Sequence, residues 1–304
     1  MATAKTKGIV AFTRKLISDM SAAGLNPSSR RYGIVLNSFL RFTGGREVAW
    51  ADFNSTLLSG YEKFLRNRGL CRNSTSFHMR NLRSISNRAK EYGITLPPTP
   101  FKYVYTGIDH TEKRAVTLKT VCRIRDMDLS RSPHLDFARN VFMFAFYTRG
   151  MSFVDIAYLK KSDVIDGVIT YLRRKTHQRI RVRIEPQIFA VIGKLGDCTS
   201  AYLLPLITDD NTDSERQYRN AYHRINESLK KIGIMLGLET KLTLYVARHA
   251  WASIAYSNNV PLSTISKAMG HDSDRTTLIY LTSLDSSAVD NANKNIMSLM
   301  TPQQ

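Results

Sequence analysis

The chain has 304 residues, which is long enough for two domains with sizeable hydrophobic cores. Hydrophobic residues make up 43% of it and aromatic residues 10%, and this composition excludes a mainly disordered protein. No stretch of about 18 apolar residues predicts a membrane span, and the N-terminus lacks the apolar segment of a secretory signal. Three widely spaced cysteines predict neither a disulfide framework nor a metal site. We therefore expect a cytoplasmic protein without a membrane partner.

The charge of the chain is its most informative property. There are 44 Lys and Arg residues against 25 Asp and Glu residues, a net charge of +19. Residues 1–104 contain 17 of the basic and 5 of the acidic residues, so a net +12 lies in the first third. This excess favours a polyanionic partner, because each phosphate contact releases counterions. A basic soluble protein or a membrane-surface binder is the alternative.

The spacing of apolar residues predicts four short helices in the first third of the chain. The first ends at Gly24, the second runs from Ser28 or Ser29 to Gly44, and the third ends at Gly69. Glycine is a common residue just beyond a helix C-terminus, so these positions mark the boundaries.

The fourth predicted helix has apolar residues on one face and arginines at other positions. A charged helix face is usually only solvated, but no acidic residue interleaves with these arginines. This pattern favours contact with the DNA backbone. The predicted DNA-binding residues are Arg72, Arg80, Arg83 and Arg88.

A proline-rich stretch from Pro97 to Pro100 interrupts the helical pattern. We predict a helical DNA-binding domain over residues 1–104, an interdomain linker over residues 105–113 and a second domain over residues 114–304. In the second domain Thr117 is expected to cap a helix, and an apolar helix is predicted from about Leu135 to Tyr147. The segments VITYLRR and RIRVRI, separated by KTHQ, form the only clear strand pair. The second domain is therefore predicted to be mainly α with a small β-hairpin sheet.

Two segments near the C-terminus carry a specific pattern. AMGHDSDRTTLIYL places Tyr280 nine residues after His271, and YVARHAWAS places Arg248, His249 and Trp251 on one helix. These segments resemble the tyrosine recombinase (phage integrase) family, whose pattern is H-x-x-R-H-x-F/W-A, then L-G-H, then T-T-x-x-Y. The hairpin and the basic N-terminal helices are similar to this family as well. The resemblance implies an N-terminal helical, SAM-like core-binding domain and a mainly α catalytic domain.

Cutting a phosphodiester without metal or cofactor requires a nucleophile, cations on the phosphate oxygens and a proton donor for the leaving 5′ oxygen. By resemblance, Tyr280 is the nucleophile, Arg248 and His271 bind the phosphate, and Lys175 at the KTHQ turn protonates the leaving group. Each has an ordinary alternative: a packed aromatic, a surface arginine, a histidine at a helix end and a solvated turn lysine. His249 and Trp251 are expected to pack around the site and support it.

Two positions depart from the family pattern. The family's first arginine lies in T-G-L-R-x-x-E/D-L, but YTRGMSFVDIAYL has Ser152 at that position and Arg149 three residues earlier. We hypothesise that Arg149 supplies the missing guanidinium while Ser152 caps a helix with Asp155 or donates a hydrogen bond. If Arg149 lies outside the site, Ser152 or another arginine such as Arg173 or Arg174 is the alternative. Tyr245 occupies the place of the first histidine in H-x-x-R; its hydroxyl could bind a phosphate oxygen but would be a poor base at neutral pH.

The resemblance implies a site-specific recombinase that forms a 3′-phosphotyrosyl intermediate and needs no cofactor or metal ion. Its expected partner is duplex DNA with specific recombination sites. On that DNA the chain is expected to form a homotetramer. Inversion and integration or excision both remain open, as do the target sequence and any accessory proteins. A type IB topoisomerase and a non-catalytic regulator that binds DNA through a helix-turn-helix are the alternatives.

The sequence after Tyr280 predicts one further helix. Its apolar residues recur at helical spacing: Val289, Ala292, Ile296 and Leu299. This helix either packs on its own domain or, as in the family, docks on a neighbouring subunit.

Overall fold

The computed structural model describes residues 8–109, 115–209 and 213–281, with only the backbone given for residues 26, 27 and 279–281. The chain divides into two compact units, Met1–Thr111 and Glu112–Gln304. Each unit has its own hydrophobic core. The described part is mainly helical with one small antiparallel sheet, so the predicted fold class is confirmed.

Over residues 8–109, unit 1 is built from four α-helices. They are α1 (Ile9–Ala22), α2 (Asn26–Phe42), α3 (Ser55–Asn67) and α4 (Arg72–Glu91). The second helix begins at Asn26, two residues earlier than the predicted Ser28, because a proline lies in its first turn, where its fixed φ favours the helix and no amide hydrogen is needed. The Glu47 carboxylate accepts hydrogen bonds from the Val10 and Ala11 amides and so satisfies the N-terminus of α1.

The first residues of the predicted linker are bonded to unit 1. The Asn73 side chain and the backbone of Asp109 exchange two hydrogen bonds of 2.8 and 3.0 Å. The Tyr105 amide donates to Glu62 on α3, and the Ser76 hydroxyl donates to the Gly107 carbonyl. Residues 105–109 are therefore fixed to α3 and α4, and the rest of the predicted linker lies outside the described residues.

Unit 2 contains eight helices within its described residues. They are α5 (Leu118–Asp126), α6 (Pro133–Tyr147), α7 (Phe153–Ala157), α8 (Pro186–Leu195), α9 (Ser214–Met235), α10 (Leu244–Ser257), α11 (Leu262–Met269) and α12 (Asp274–Leu281). The Thr117 hydroxyl accepts from the Thr120 amide, so the predicted cap of α5 is confirmed. The apolar α6 lies at the centre and packs against α8, α9 and α10.

The sheet of unit 2 has three strands in the order β1 (Val164–Ile165), β2 (Val168–Leu172) and β3 (Arg179–Arg183). The predicted β2–β3 hairpin is present, with Val168 opposite Arg183 and Leu172 opposite Arg179. The additional strand β1 was not predicted. It joins β2 through Asp166 and Gly167, both with positive φ, as a two-residue hairpin turn requires.

The helices also bear on membrane association. Within the described ranges, none combines the length and apolar character needed to cross a bilayer.

Candidate active site

Arg248 is buried on α10 and joins three segments of unit 2. Its Nη1 donates to the Gly150 carbonyl at 2.5 Å, and its Nη2 donates to the Met269 carbonyl at 2.8 Å. The same Nη2 lies 2.8 Å from His271 Nε2. A Cβ on Gly150 would lie 2.9 Å from the Arg248 Cα, and Gly150 has a φ of 72°, so only glycine lets the chain approach the arginine this closely.

His271 follows directly after α11 and is also buried. Gly270 ends that helix in the left-handed conformation, and the His271 amide donates to the Ser266 carbonyl. This turn places the Nε2 side of the imidazole against Arg248. On its other side Nδ1 lies 2.7 Å from the hydroxyl of Thr277 on α12.

The hydrogen bonds of His271 define its tautomer. Because a guanidinium only donates, Nε2 must accept from Arg248, so Nδ1 carries the proton and donates to Thr277. Burial, followed by the positive charges of Arg248, Arg173 and Lys175, lowers the pKa of His271 to about 3. His271 is therefore neutral at physiological pH.

The tip of the β2–β3 hairpin packs directly onto the segment around Gly270. Arg173 is buried, and its Nη1 donates to the Gly270 carbonyl, which also accepts from the Thr176 hydroxyl at 3.2 Å. The Gln178 amide donates to the His271 carbonyl and to Asp272. A Cβ on Gly270 would clash with the hairpin at 2.6 Å. These contacts bring Lys175, which is exposed at the tip, to the same side of unit 2 as His271.

Arg149 and Ser152 lie close in sequence but bind different groups. Arg149 is partly exposed, has a φ of 63°, and donates from Nη1 to the Arg181 carbonyl at 3.3 Å. Ser152 occupies the N-cap position of α7 but makes no side-chain cap bond. Its hydroxyl donates instead to Asp155 at 2.6 Å. The other oxygen of the buried Asp155 accepts from the Arg174 amide, so this carboxylate connects α7 to the hairpin.

Three further predicted residues lie on α10. Tyr245 is 54% exposed and its ring meets the buried His249 ring edge-on at 4.4 Å between centroids. Tyr245 also lines a cavity of about 210 Å³ together with Arg248 and Ser152. Trp251 is partly buried in a small separate core between α10 and α11. The structure thus gives Trp251 a packing contact and places Tyr245 at the site.

Tyr280 lies on α12, which packs against α10 and α11. Its side chain is outside the described residues, and so is the whole predicted terminal helix with Val289, Ala292, Ile296 and Leu299. What is described is the connection between this helix and the arginine site, through Thr277 and His271. Within the described ranges, no group of three His, Cys, Asp or Glu residues is placed to hold a metal ion.

The predicted DNA-binding arginines of α4 lie in unit 1. The Arg72 guanidinium stacks on the Tyr105 ring at 3.8 Å and lies 3.4 Å from an Asp109 oxygen. Arg80 is partly exposed beside them. Arg83 and Arg88 are exposed, and Arg83 lies over the Phe101 ring at the edge of a cavity of about 350 Å³ that Lys90 and Lys102 also line. On the α4 surface, Arg72 and Arg83 therefore each lie over an aromatic ring.

The sequence named Arg173 only as an alternative to Arg149 and did not predict that it is buried. In the sequence it is one of five arginines along the two strands and resembles a solvated side chain. The structure buries it beside Gly270 and His271. A periodicity argument could have found it, because Arg173 follows the buried positions Ile169 and Tyr171 at a spacing of two.

Known proteins provide a second line of comparison. The model of the phage integrase family matches residues 120–287, and that of the phage integrase SAM-like domain matches residues 9–103. No curated protein sequence matches the chain.

Solved structures share the fold at low sequence identity. The Tn1549 transposon integrase in complex with transposon right end DNA is 11% identical, with a TM-score of 0.69 over 95% of this chain and 99% of that one. A lambda integrase tetramer bound to a Holliday junction is 15% identical, with a TM-score of 0.67 over 89% and 76%. XerH recombinase bound to a palindromic difH substrate is 15% identical, with a TM-score of 0.63 over 87% and 78%.

The family model of residues 120–287 spans more than half of the chain, and the SAM-like model accounts for unit 1. The fold of both units agrees with these matches. The chain belongs to the phage integrase family of tyrosine recombinases.

Proposed function

We propose that this protein is a site-specific DNA recombinase that cuts and rejoins duplex DNA through a 3′-phosphotyrosyl bond to Tyr280. The observation that carries the proposal is the buried cluster of Arg248, His271 and Arg173, which is connected to the helix of Tyr280. Its cations would bind the phosphate oxygens and stabilise the extra charge of the transition state. The integrases with similar folds were solved on DNA, one of them as a tetramer on a Holliday junction, and we extend duplex DNA and tetramer assembly to this chain.

The proposed reaction needs no redox step or cofactor. The Tyr280 hydroxyl releases its proton to solvent as its oxygen attacks the phosphorus, the P–O bond to the 5′ oxygen breaks, and the new phosphotyrosyl bond conserves the energy for religation. Lys175 is proposed to give the leaving oxygen its proton, because it is exposed at a hairpin tip that is bonded to Gly270 and His271. Tyr245 is proposed to donate a hydrogen bond to a phosphate oxygen from the cavity it shares with Arg248.

We expect Tyr280→Phe to abolish cleavage and leave DNA affinity nearly unchanged, since only one hydroxyl is removed. The substrate is a nicked duplex that carries the protein's own site, isolated from a random pool by binding. A covalent protein–DNA complex should form with the wild type and with the control Tyr256→Phe, and not with Tyr280→Phe. A covalent complex of undiminished yield with Tyr280→Phe would show that another residue attacks. Relaxation of supercoiled DNA without strand exchange between two sites would favour a topoisomerase.

The second guanidinium of the site has two candidates. Arg149 remains a proposal from the sequence, but its Nη1 is bonded to the Arg181 carbonyl on β3. Arg173 is the stronger candidate, because it is buried beside Gly270 and its charge acts on His271. We propose that Arg173 shares the phosphate with Arg248.

Arg173→Lys keeps the charge but removes the planar fork, and we expect it to slow cleavage by about 10²–10³-fold with DNA binding little changed. Arg149→Ala should cleave within about threefold of the wild type, because Arg149 is partly exposed and its Nη1 is bonded to the Arg181 carbonyl. Arg179→Lys on exposed β3 is the matched control. The measurements are single-turnover cleavage rates and melting curves. The opposite ranking of Arg173→Lys and Arg149→Ala would restore Arg149 as the phosphate ligand.

Ser152→Ala is measured together with the arginine variants, because the Ser152 hydroxyl has two candidate partners, the Asp155 carboxylate and the DNA phosphate. Its hydroxyl is bonded to the buried Asp155 carboxylate, so we expect a loss of about 1–2 kcal/mol in the free energy of unfolding. Cleavage by folded Ser152→Ala should stay close to wild type. A large loss of cleavage without a loss of stability would place the Ser152 hydroxyl on the phosphate.

Unit 1 is proposed to bind the DNA backbone through the cations of α4. Arg83→Ala and Arg88→Ala should each weaken binding at all sequences and reduce the slope of log Kobs against log salt by about 1. Arg66→Ala removes the same charge, but Arg66 is paired with Glu62 at 3.3 Å and serves as the control. Affinity measured over a range of salt concentrations checks this. An unchanged slope for both variants would remove this face from the interface.

The neutral form of His271 makes unit 2 sensitive to acid. The unfolded chain binds a proton on this imidazole below a pH of about 6.5, whereas the folded pKa is about 3. The stabilisation is therefore complete above about pH 6.5 and decreases as the pH falls toward 3, by up to about 1.4 kcal/mol per pH unit. Urea unfolding of unit 2 should show this slope in the wild type and in His223→Gln, whose histidine is exposed, and lack it in His271→Gln. Equal slopes in all three would contradict a buried neutral His271.

A further inference from the structure

Thr277 occupies an unusual position for a helix residue next to a nucleophile. It is fully buried on α12, three residues before Tyr280, and its hydroxyl lies 2.7 Å from His271 Nδ1. The neighbouring Thr276 is partly exposed and its hydroxyl lies 3.3 Å from that of Ser273. Of this adjacent pair, Thr277 alone contacts the histidine of the site.

The contact connects two parts of the site that the sequence separates. His271 belongs to the turn after α11 and is bonded to Arg248 on α10, whereas Thr277 belongs to the helix of Tyr280. The path from Arg248 Nη2 through the imidazole to the Thr277 hydroxyl consists of two hydrogen bonds of 2.8 and 2.7 Å between buried groups. Any rotation of α12 away from α10 would break one of them.

We propose that Thr277 is a positioning residue that, together with Arg248, stabilises the Nδ1–H tautomer of His271 and ties the helix of Tyr280 to the phosphate-binding arginine. The effect on cleavage rests on the recombinase function proposed above, whereas the tautomer does not. In the DNA-free protein Arg248 donates to Nε2, so the proton is on Nδ1 and Thr277 accepts it.

A hydroxyl is suited to this place because it can either donate or accept. For His271 to donate to a phosphate oxygen, its proton must be on Nε2, and Nδ1 then becomes an acceptor. The Thr277 hydroxyl can turn its own hydrogen toward Nδ1 and keep the connection in this second tautomer. Valine has the same shape but can serve neither tautomer, and it would leave the buried Nδ1 hydrogen without a partner.

The test compares Thr277→Val, Thr277→Ser and the control Thr276→Val in the full chain without DNA. Nitrogen-15 spectra of the histidine side chains distinguish imidazoles protonated on Nδ1 from those protonated on Nε2, and a His271→Gln spectrum assigns the signal. We expect Nδ1–H for the wild type, Thr277→Ser and Thr276→Val. Thr277→Val should populate Nε2–H, because Nδ1–H then loses its acceptor on α12, and the Arg248 guanidinium must then release Nε2.

Cleavage rates on the nicked site give the second readout. Thr277→Val should cleave about 10- to 100-fold more slowly because Tyr280 is misplaced, with DNA affinity unchanged, while Thr277→Ser and Thr276→Val stay within about threefold of the wild type. If Thr277→Val does not fold, the tautomer of the wild type and the tautomer and cleavage rate of Thr277→Ser still test the proposal. An Nε2–H signal in the wild type would overturn the proposal. So would a changed tautomer without slower cleavage, or slower cleavage with an unchanged tautomer. Absence of cleavage by the wild type would refute the recombinase function and leave the tautomer result to be judged by itself.

Discussion

The hydrogen bonds of the buried Arg248 guanidinium hold together the segments of unit 2 that form the site. Three hydrogen bonds of this guanidinium reach the turn before α7, the end of α11 and His271, which lie up to 98 residues from Arg248 in the sequence. Burying a cation costs several kcal/mol unless other groups compensate its charge. The two carbonyls and the His271 imidazole are three of these compensating groups, and we propose that a DNA phosphate oxygen joins them when DNA is bound.

Close backbone approach makes this arrangement possible. Gly150 and Gly270 both have left-handed φ values, and a Cβ at either would collide with Arg248 or with the hairpin. With the hairpin docked on Gly270, Arg173 and Lys175 add their positive charges to the environment of His271. Burial, together with the positive field that would attract a phosphate, therefore keeps the histidine neutral, and a neutral imidazole can act as a hydrogen-bond relay.

The sequence predicted the parts of this site that lie on regular elements. The spacing of motif residues and the period of apolar residues were sufficient for α10, α12 and the β2–β3 hairpin, because those signals are local. The sequence named Arg173 only as an alternative to Arg149, because strand alternation indicates that its side chain points inward but not that it reaches the Gly270 carbonyl, 97 residues away. The Asp166–Gly167 turn had a local signal, but strand β1 is only two residues long. The direction of the Ser152 hydroxyl depends on where Asp155 finds its second partner, which no pattern in the sequence encodes.

The central claim is that this cationic cluster presents a DNA phosphate to Tyr280. The most direct measurement is to digest the covalent complex formed on a nicked site with trypsin and nuclease and to sequence the nucleotide-bearing peptide by mass spectrometry. We predict a single adduct on Tyr280, linked to the 3′ phosphate of the cut strand. An adduct on another residue, a 5′ linkage, or cleaved DNA without any adduct would contradict the account.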